Sequence, residues 1–256
     1  MSAFKYSLQE IEIETVNRCN GKCSFCPVNI YEKQRPYKKM NNELFEKIIR
    51  DLCSMNYTGK ISIFSNNEPF IDERIVDFYK YVKVKLPNAY TNLYTNGSLM
   101  NFDKFLEIVD FVDYFVIDNY NDDLQVNDNL IEVKAYIDAH IELQRKIKFD
   151  IRKQNEVRLS RGGQAPNKLD AVSVDELCLL PYRQMVIRPD GFVSLCCNDA
   201  LGKYTLGNVC DNSIEEIWNS KKYNEIRQEM ELNHRKNLML CNKCDMVTQP
   251  LMDKRS

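Results

Sequence analysis

The chain has 256 residues, 44% apolar and 28% charged, with a formal net charge of −2. These values exclude a disordered, collagen-like or low-complexity chain, and the length suffices for a core without disulfide support. The near-neutral balance gives no electrostatic basis for binding nucleic acid or an anionic membrane. No apolar run approaches the roughly 18 residues of a membrane span, and Met1–Glu10 lacks the apolar h-region of a signal peptide, so a cytoplasmic protein is expected.

Glu10–Thr15 alternates Glu and Ile and reads as a strand running into a first cysteine cluster. Asn42–Leu52 sets Leu44, Phe45, Ile48, Ile49 and Leu52 on one helical face, behind an Asn41 or Asn42 cap. Lys60–Ser65 is a second strand, Glu73–Val84 a second helix, and Ala89–Tyr94 a third strand ending in Thr95-Asn96-Gly97. A helix near Phe102–Phe111, a strand at Tyr114–Asp118, a helix near Asn129–Leu143 and a strand at Ile147–Arg152 follow. This alternation predicts parallel strands joined by right-handed crossover helices, with functional loops at the strands' C-terminal ends. The rhythm breaks near Asn155, and Val157–Asn167, with Arg161-Gly162-Gly163 and Pro166, reads as loop. Beyond it, Gln184–Ile187 and Phe192–Cys196 flank Arg188-Pro189-Asp190-Gly191, which predicts a hairpin. Ser213-Ile214-Glu215-Glu216 is a capping box opening a helix that carries Ile217, Trp218 and Tyr223. The expected fold is α/β, with a barrel-like domain over residues 1–167 and a small cysteine-bearing appendage, hairpin plus helix, over 168–256.

Ten cysteines are many for a chain without signs of export, and in a reducing compartment they read as metal ligands rather than disulfides. Cys19-x-x-x-Cys23-x-x-Cys26 follows the first strand, where an α/β barrel puts its chemistry. Three thiolates at this spacing can hold three corners of a 4Fe–4S cluster and leave one iron open, as a catalytic zinc keeps an open position. At a cysteine frequency near 0.04, about 250 start positions give roughly 0.016 accidental matches. A zinc knuckle or structural cysteines are the alternative. Cys178, Cys196, Cys241 and Cys244 form a second set, for which a zinc ribbon held by four cysteines is the alternative. Cys197 follows Cys196 on a strand, faces the other way and reads as a small buried hydrophobe. Cys53, Cys210, His140 and His234 read as packing or surface residues, and Lys33–Lys39 as a solvated loop or a lid.

With Phe25 just before its last cysteine, the Cys19–Cys26 motif resembles the signature of the radical S-adenosylmethionine superfamily. The resemblance covers roughly residues 8–165 and implies a partial (βα)6 barrel. It further implies that the open iron chelates the amino and carboxylate groups of S-adenosylmethionine, with the backbone beside Phe25 against the adenine. The family's Gly-Gly-Glu-Pro turn after the second strand has its counterpart in Asn66-Asn67-Glu68-Pro69. The sequence departs at both glycines, but asparagine is next best able to adopt φ > 0, and Glu68 supplies the carboxylate for the methionyl ammonium. Thr95-Asn96-Gly97 matches a further cofactor-binding element, and Tyr94 and Asp118 sit at strand ends that would line the pocket. The second cysteine set is similar to the SPASM/twitch extension of the same superfamily, together with Leu206-Gly207-Asn208 and Ile214–Trp218. No cysteine follows Cys244, which implies the shortened, twitch-like form with one auxiliary cluster. Four protein ligands close all four irons, so that cluster should carry electrons rather than bind substrate.

The resemblance therefore implies two 4Fe–4S clusters and S-adenosylmethionine as cofactors, and a 5′-deoxyadenosyl radical as the reactive species. A fully ligated second cluster favours net oxidation of a small polyol, aminocyclitol or sugar alcohol to a ketone, with that cluster as electron acceptor. The Ser160-Arg161-Gly162-Gly163 loop is similar to that of aminocyclitol-oxidising members. Arg161 is the candidate catalytic contact, because a guanidinium binds a hydroxyl or a developing oxyanion, with a structural ion pair at the domain junction as its alternative. The expected partners are a small polyol or amino sugar and a flavodoxin- or ferredoxin-type reductant, with no nucleic acid and no membrane. Three other readings stay open: an epimerase using Cys197 or Cys210 as hydrogen donor, a peptide-modifying radical enzyme, and an Fe–S or zinc-binding module. About ten residues precede the first strand, too few for the peptide-recognition domain that most peptide-modifying members carry.

Overall fold

The computed structural model describes residues 6–248; the first five residues and the end of the cysteine-free tail lie outside the described residues. The first half contains β1 (Glu10–Ile13), α1 (Pro27–Ile30), α2 (Asn42–Ser54), β2 (Lys60–Ser62), α3 (Ile75–Lys85) and β3 (Tyr90–Thr95). It continues with α4 (Phe102–Val109), β4 (Tyr114–Tyr120), α5 (Ile131–Ala139), α6 (Ile141–Gln144) and β5 (Ile147–Arg152). After a long loop come α7 (Leu180–Arg183), β6 (Gln184–Ile187), β7 (Phe192–Ser194), β8 (Thr205–Asn208), α8 (Ile214–Trp218) and α9 (Lys221–Asn233).

Local chemistry accounts for most boundaries. Asn41 caps α2 by accepting from the Leu44 N–H at 2.8 Å, and α8 opens on the expected Ser213/Glu216 capping box. The single helix expected near 129–143 is instead divided at His140, whose backbone is extended. The His140 ring bonds the Tyr136 carbonyl at 2.7 Å, which is the acceptor that its own N–H would take in a continuous helix. The helix expected to carry Ile217, Trp218 and Tyr223 is likewise two: α8 stops at Trp218, and Ser220 caps a separate α9. Helix α9 buries Tyr223, Arg227 and Met230, too polar a stripe to read as amphipathic, and β8 lies outside the expected elements.

The eight strands of the described residues form one sheet in the order β5-β4-β3-β2-β1-β6-β7-β8, with β1 to β6 parallel and the last two antiparallel. The sixth parallel strand lies in the second half of the chain: β6 pairs with β1, from Glu10↔Gln184 to Ile13↔Ile187, on the side away from β2. The sheet therefore runs unbroken across position 168. Alternation along the strands gives it two unlike faces. Ile11, Ile13, Ile61, Leu93, Phe115, Ile117, Met185 and Ile187 turn to the helices and form the core, whereas Glu10, Glu12, Ser62, Asn92, Asp118 and Gln184 occupy the opposite face.

Phe45 and Phe78 stack in this core with ring centroids 4.0 Å apart, and Phe45 is fully buried. Phe45→Ala should cost about 3–5 kcal/mol in denaturant unfolding. A loss under about 1 kcal/mol, the range of ordinary surface changes, would contradict this packing.

Candidate active site

The three cysteines of the first set lie on the loop between β1 and α1, at the C-terminal end of the parallel strands. Gly21 sits among them: its N–H points to Cys19 Sγ at 3.3 Å, and a Cβ there would stand 3.4 Å from Cys19 Sγ and 3.7 Å from Cys23 Sγ. The Cys26 N–H donates to the Cys23 carbonyl at 3.1 Å, and Ser24 N–H to the Gln154 carbonyl at 2.9 Å, which ties the loop to the end of β5. Burial pushes the Cys19 and Cys23 thiols up to about 12, so a metal must displace their protons to bind. Phe25 is buried between the Tyr120 ring and the Arg158 guanidinium.

Glu68, Thr95 and Asn96 are joined to this loop. Glu68 Oε1 accepts from Thr95 Oγ1 at 2.6 Å and from Phe70 N–H at 3.1 Å, and Oε2 accepts from Asn96 N–H at 2.8 Å. The Asn96 side chain reaches Cys19 Sγ at 3.7 Å and Asn20 Oδ1 at 2.9 Å. Asp118 pairs with Arg152 at 2.8 Å, on the polar face of the sheet. Asn66 and Asn67 do not act as glycine surrogates, because neither has positive φ. Their side chains work instead: Asn67 Oδ1 accepts from Ser65 N–H at 2.9 Å, and Asn66 Nδ2 donates to the Cys197 carbonyl at 3.1 Å.

Cys178, Cys196, Cys241 and Cys244 all line one cavity, with Asn198 and Arg235 beside them, and Cys197 and Cys210 are absent from its lining. Cys196 and Cys241 are drawn upward in pKa chiefly by burial and next by neighbouring thiols. Arg235, in this lining, has its Nη2 buried without a partner. Among the described residues no three His, Cys, Asp or Glu side chains gather closely enough for a single metal ion. A cluster spreads its thiolates over several irons and needs no such single point.

Arg161 sits on the seam between the two cysteine sets. Its Nη2 donates to the Asn66 side-chain oxygen and, at 2.8 Å, to the Cys197 carbonyl, and its Nε is buried without a partner. The neighbouring loop is clamped to the segment bearing Cys241 and Cys244: Ser160 Oγ donates to the Lys243 carbonyl at 2.7 Å, and Ser160 N–H to Asp245 Oδ1 at 2.8 Å. Gly162, at φ +64°, lies so close that a Cβ would meet Leu240 Cδ1 at 2.4 Å.

The strand pattern alone does not reveal what two acidic residues of β1 and its flank do. Glu12 Oε1 accepts from Gln184 Nε2 at 3.0 Å, while Oε2 is buried with no partner at hydrogen-bond distance. Burial pushes its carboxyl up to about 7, against the weaker pull of Ser65, Lys60 and Arg161. Glu14 is fully enclosed, and Arg35 Nη2 bonds both of its oxygens at 3.1 and 3.0 Å. Arg35 also donates to the Asn66 carbonyl at 3.1 Å, so the basic run Lys33–Lys39 is anchored by a buried arginine and is not wholly solvated. The available signal is three glutamates spaced by two on a strand that enters a cysteine loop.

Comparison with known proteins places this geometry. The profile of the Radical SAM superfamily matches residues 13–151, more than half of the chain. The chain belongs to the radical SAM superfamily. A second profile, the SPASM iron-sulfur cluster-binding domain, matches residues 178–245, from the first to just beyond the last cysteine of the second set. A relative, the S-adenosyl-L-methionine-dependent 2-deoxy-scyllo-inosamine dehydrogenase of Niallia circulans, is 25% identical over 93% of each chain. The crystal structure of BtrN in complex with AdoMet and 2-DOIA superposes with a TM-score of 0.80 at 22% identity, covering 94% of each chain. Native anSMEcpe with bound AdoMet gives a TM-score of 0.55 at 15% identity, over 93% of this chain and 89% of that one. This radical SAM enzyme thus uses Fe–S clusters and S-adenosylmethionine. The residues present fit those groups: the Cys19 and Cys23 thiols lie beside Gly21, four more line one cavity, and the unpartnered Arg235 Nη2 suits an anionic cluster. No helix among the described residues is long and apolar enough to cross a membrane.

The Glu12 carboxyl carries a stability consequence. Its folded pKa of about 7 lies above the ordinary 4.5, so the native state binds the extra proton and stability falls as pH rises between those values. At about 1.4 kcal/mol per pH unit the loss is at most about 3 kcal/mol, reduced by whatever solvent reaches the carboxyl. Glu12→Gln should therefore raise the melting temperature relative to the natural sequence at pH 8 and leave it nearly equal at pH 4.5. A Glu12→Gln chain that is less stable at both pH values would contradict this account.

Proposed function

We propose that this radical SAM enzyme oxidises a secondary alcohol of a small polyol, aminocyclitol or amino sugar to a ketone. The observation that carries the reading is the seam itself. Arg161 links the Asn66 turn to the residue after Cys196 and acts on the Glu12 carboxyl, whose Oε2 is buried without a partner. The relative at 25% identity is a dehydrogenase of such a substrate, which supports the class without fixing the compound.

Cys19, Cys23 and Cys26 would hold the cluster that binds S-adenosylmethionine, and Cys178, Cys196, Cys241 and Cys244 the auxiliary cluster. Phe25, Asn66, Asn67, Glu68, Thr95, Asn96 and Asp118 would shape the cofactor pocket. When bound, these groups supply a 5′-deoxyadenosyl radical that takes a hydrogen atom from carbon and an acceptor for the remaining electron. A secondary alcohol becomes a ketone by losing one hydrogen atom, one proton and one electron. Glu12 takes the hydroxyl proton on Oε2, and a pKa of about 7 suits a base working near neutrality. Arg161 Nε, buried without a partner, would donate to the substrate oxygen as negative charge develops there. Glu68, fixed by three donors, has lone pairs left to accept from the methionyl ammonium. Residues 1–167 and 168–256 act as the radical and electron-accepting parts, and a flavodoxin- or ferredoxin-type protein of the cytoplasm supplies the starting electron.

A second reading rests on Cys197, whose thiol feels Glu12 and Arg161 most strongly after burial. As a hydrogen donor it would return an atom to carbon and make the enzyme an epimerase. Incubating the reduced enzyme with S-adenosylmethionine and a panel of polyols and amino sugars in heavy water separates the two. Oxidation predicts 5′-deoxyadenosine and a ketone in equal amounts, with activity rising with pH through about 7. Glu12→Gln should lower turnover about 10²–10⁴-fold and flatten that rise. An isomer of the substrate carrying one solvent deuterium on carbon would overturn the dehydrogenase reading in favour of Cys197.

A further inference from the structure

Arg235 is 1% exposed, and a buried guanidinium needs compensation for the lost water. Its described partners are two backbone carbonyls: Nε donates to Glu176 at 3.0 Å and Nη1 to Cys244 at 2.9 Å. These bonds fix the guanidinium plane and leave Nη2 buried without a partner, in the wall of the cavity lined by the four cysteines. No described carboxylate balances the charge. Arg235 shares the wall of that cavity with the thiols of Cys178, Cys196, Cys241 and Cys244. Asn198 Nδ2 adds a weaker donor, 3.9 Å from Cys244 Sγ.

We propose that Arg235 supplies the fixed positive charge that raises the reduction potential of the auxiliary cluster, making it an electron acceptor. The inference rests on the reading that Cys178, Cys196, Cys241 and Cys244 hold that cluster. Reduction adds one negative charge to a group already anionic, in surroundings of low dielectric. A cation pinned beside it favours the reduced form, and charge and hydrogen bonds near the sulfurs are the protein's usual means of tuning such a centre. Arg235 is thus a positioning residue for the electron, without contact to substrate.

The test uses the full chain carrying Cys19→Ala, Cys23→Ala and Cys26→Ala, reconstituted anaerobically with iron and sulfide so that only the auxiliary cluster reports. Dye-mediated titration followed by electron paramagnetic resonance compares this background with Arg235→Met and Arg235→Lys. At the potential where half of the background cluster is reduced, Arg235→Met should show a reduced-to-oxidised ratio about tenfold smaller, equivalent to a shift of about 59 mV. Arg235→Lys, which keeps the charge, should stay within about twofold of the background. An unchanged ratio in Arg235→Met, or a ratio in Arg235→Lys as low as in Arg235→Met, overturns the proposal. If Arg235→Met fails to hold a cluster, pulsed resonance on the background chain labelled with ¹⁵N-arginine decides: coupling to an arginine nitrogen supports it, and absence of coupling overturns it. A background chain that binds no iron and sulfide at all is a distinct failure, of the auxiliary-cluster reading itself, and removes this inference with it.

Discussion

The parallel pairing of β1 with both β2 and β6 is the constraint from which the rest follows. Because β1 is flanked by parallel strands, all six C-terminal ends point the same way, and the loops that leave them meet at one edge. One of those loops carries Cys19, Cys23 and Cys26, the next carries Asn66 to Glu68, and the turn after β6 leads into Cys196. The turn at Asn66 and the residue after Cys196, far apart in sequence, are thereby joined by a single arginine, Arg161. The ladder on either side of β1 is short, so this arrangement depends on the apolar face of Ile11, Ile13, Met185 and Ile187 remaining packed under the helices.

The polar face of the same sheet is costly by itself. Glu10, Glu12 and Glu14 lie on one strand and its flank, and Glu12 and Glu14 are pushed toward the neutral form by burial. Each is managed differently. Glu10 has Lys60 at 3.2 Å, Glu14 has Arg35 on both oxygens, and Glu12 keeps one oxygen without a partner. Natural sequences hold such an unmatched group where chemistry needs it. The auxiliary cavity repeats the pattern with opposite sign, in that Arg235 is a buried cation with no described carboxylate to balance it. A carboxyl on the sheet with one oxygen unpartnered and an uncompensated cation beside the four thiols are the two groups on which the proposed proton and electron paths rest.

Much of this is legible in the sequence because it is local. The Cys19–Cys26 spacing, the Asn41 cap, the Ser213 capping box and the Asp190-Gly191 turn each depend on residues within a few positions, and each specifies its structure directly. What depends on distant partners is not legible. Strand β6 can be recognised as a strand, but its place beside β1 is a tertiary fact, and so is the continuity of the sheet across position 168. Asn66 and Asn67 invite a backbone argument, whereas their side chains bond Cys197 and Ser65 in ordinary backbone conformations. Arg35 looks like one charge in a basic run until its partner, Glu14, is placed beside it. The His140 break comes from a ring competing for the Tyr136 carbonyl, a choice that helical periodicity does not record.

Two cysteine sets holding two clusters, one open and one fully ligated, are what the oxidative chemistry requires. The most direct measurement is the content of iron, acid-labile sulfide and zinc per chain after anaerobic reconstitution of the full protein. Two 4Fe–4S clusters predict about eight irons and about eight sulfides per chain, with zinc at trace level. About four irons together with about one zinc would place a closed zinc site at Cys178, Cys196, Cys241 and Cys244, remove the electron acceptor and contradict the oxidative mechanism.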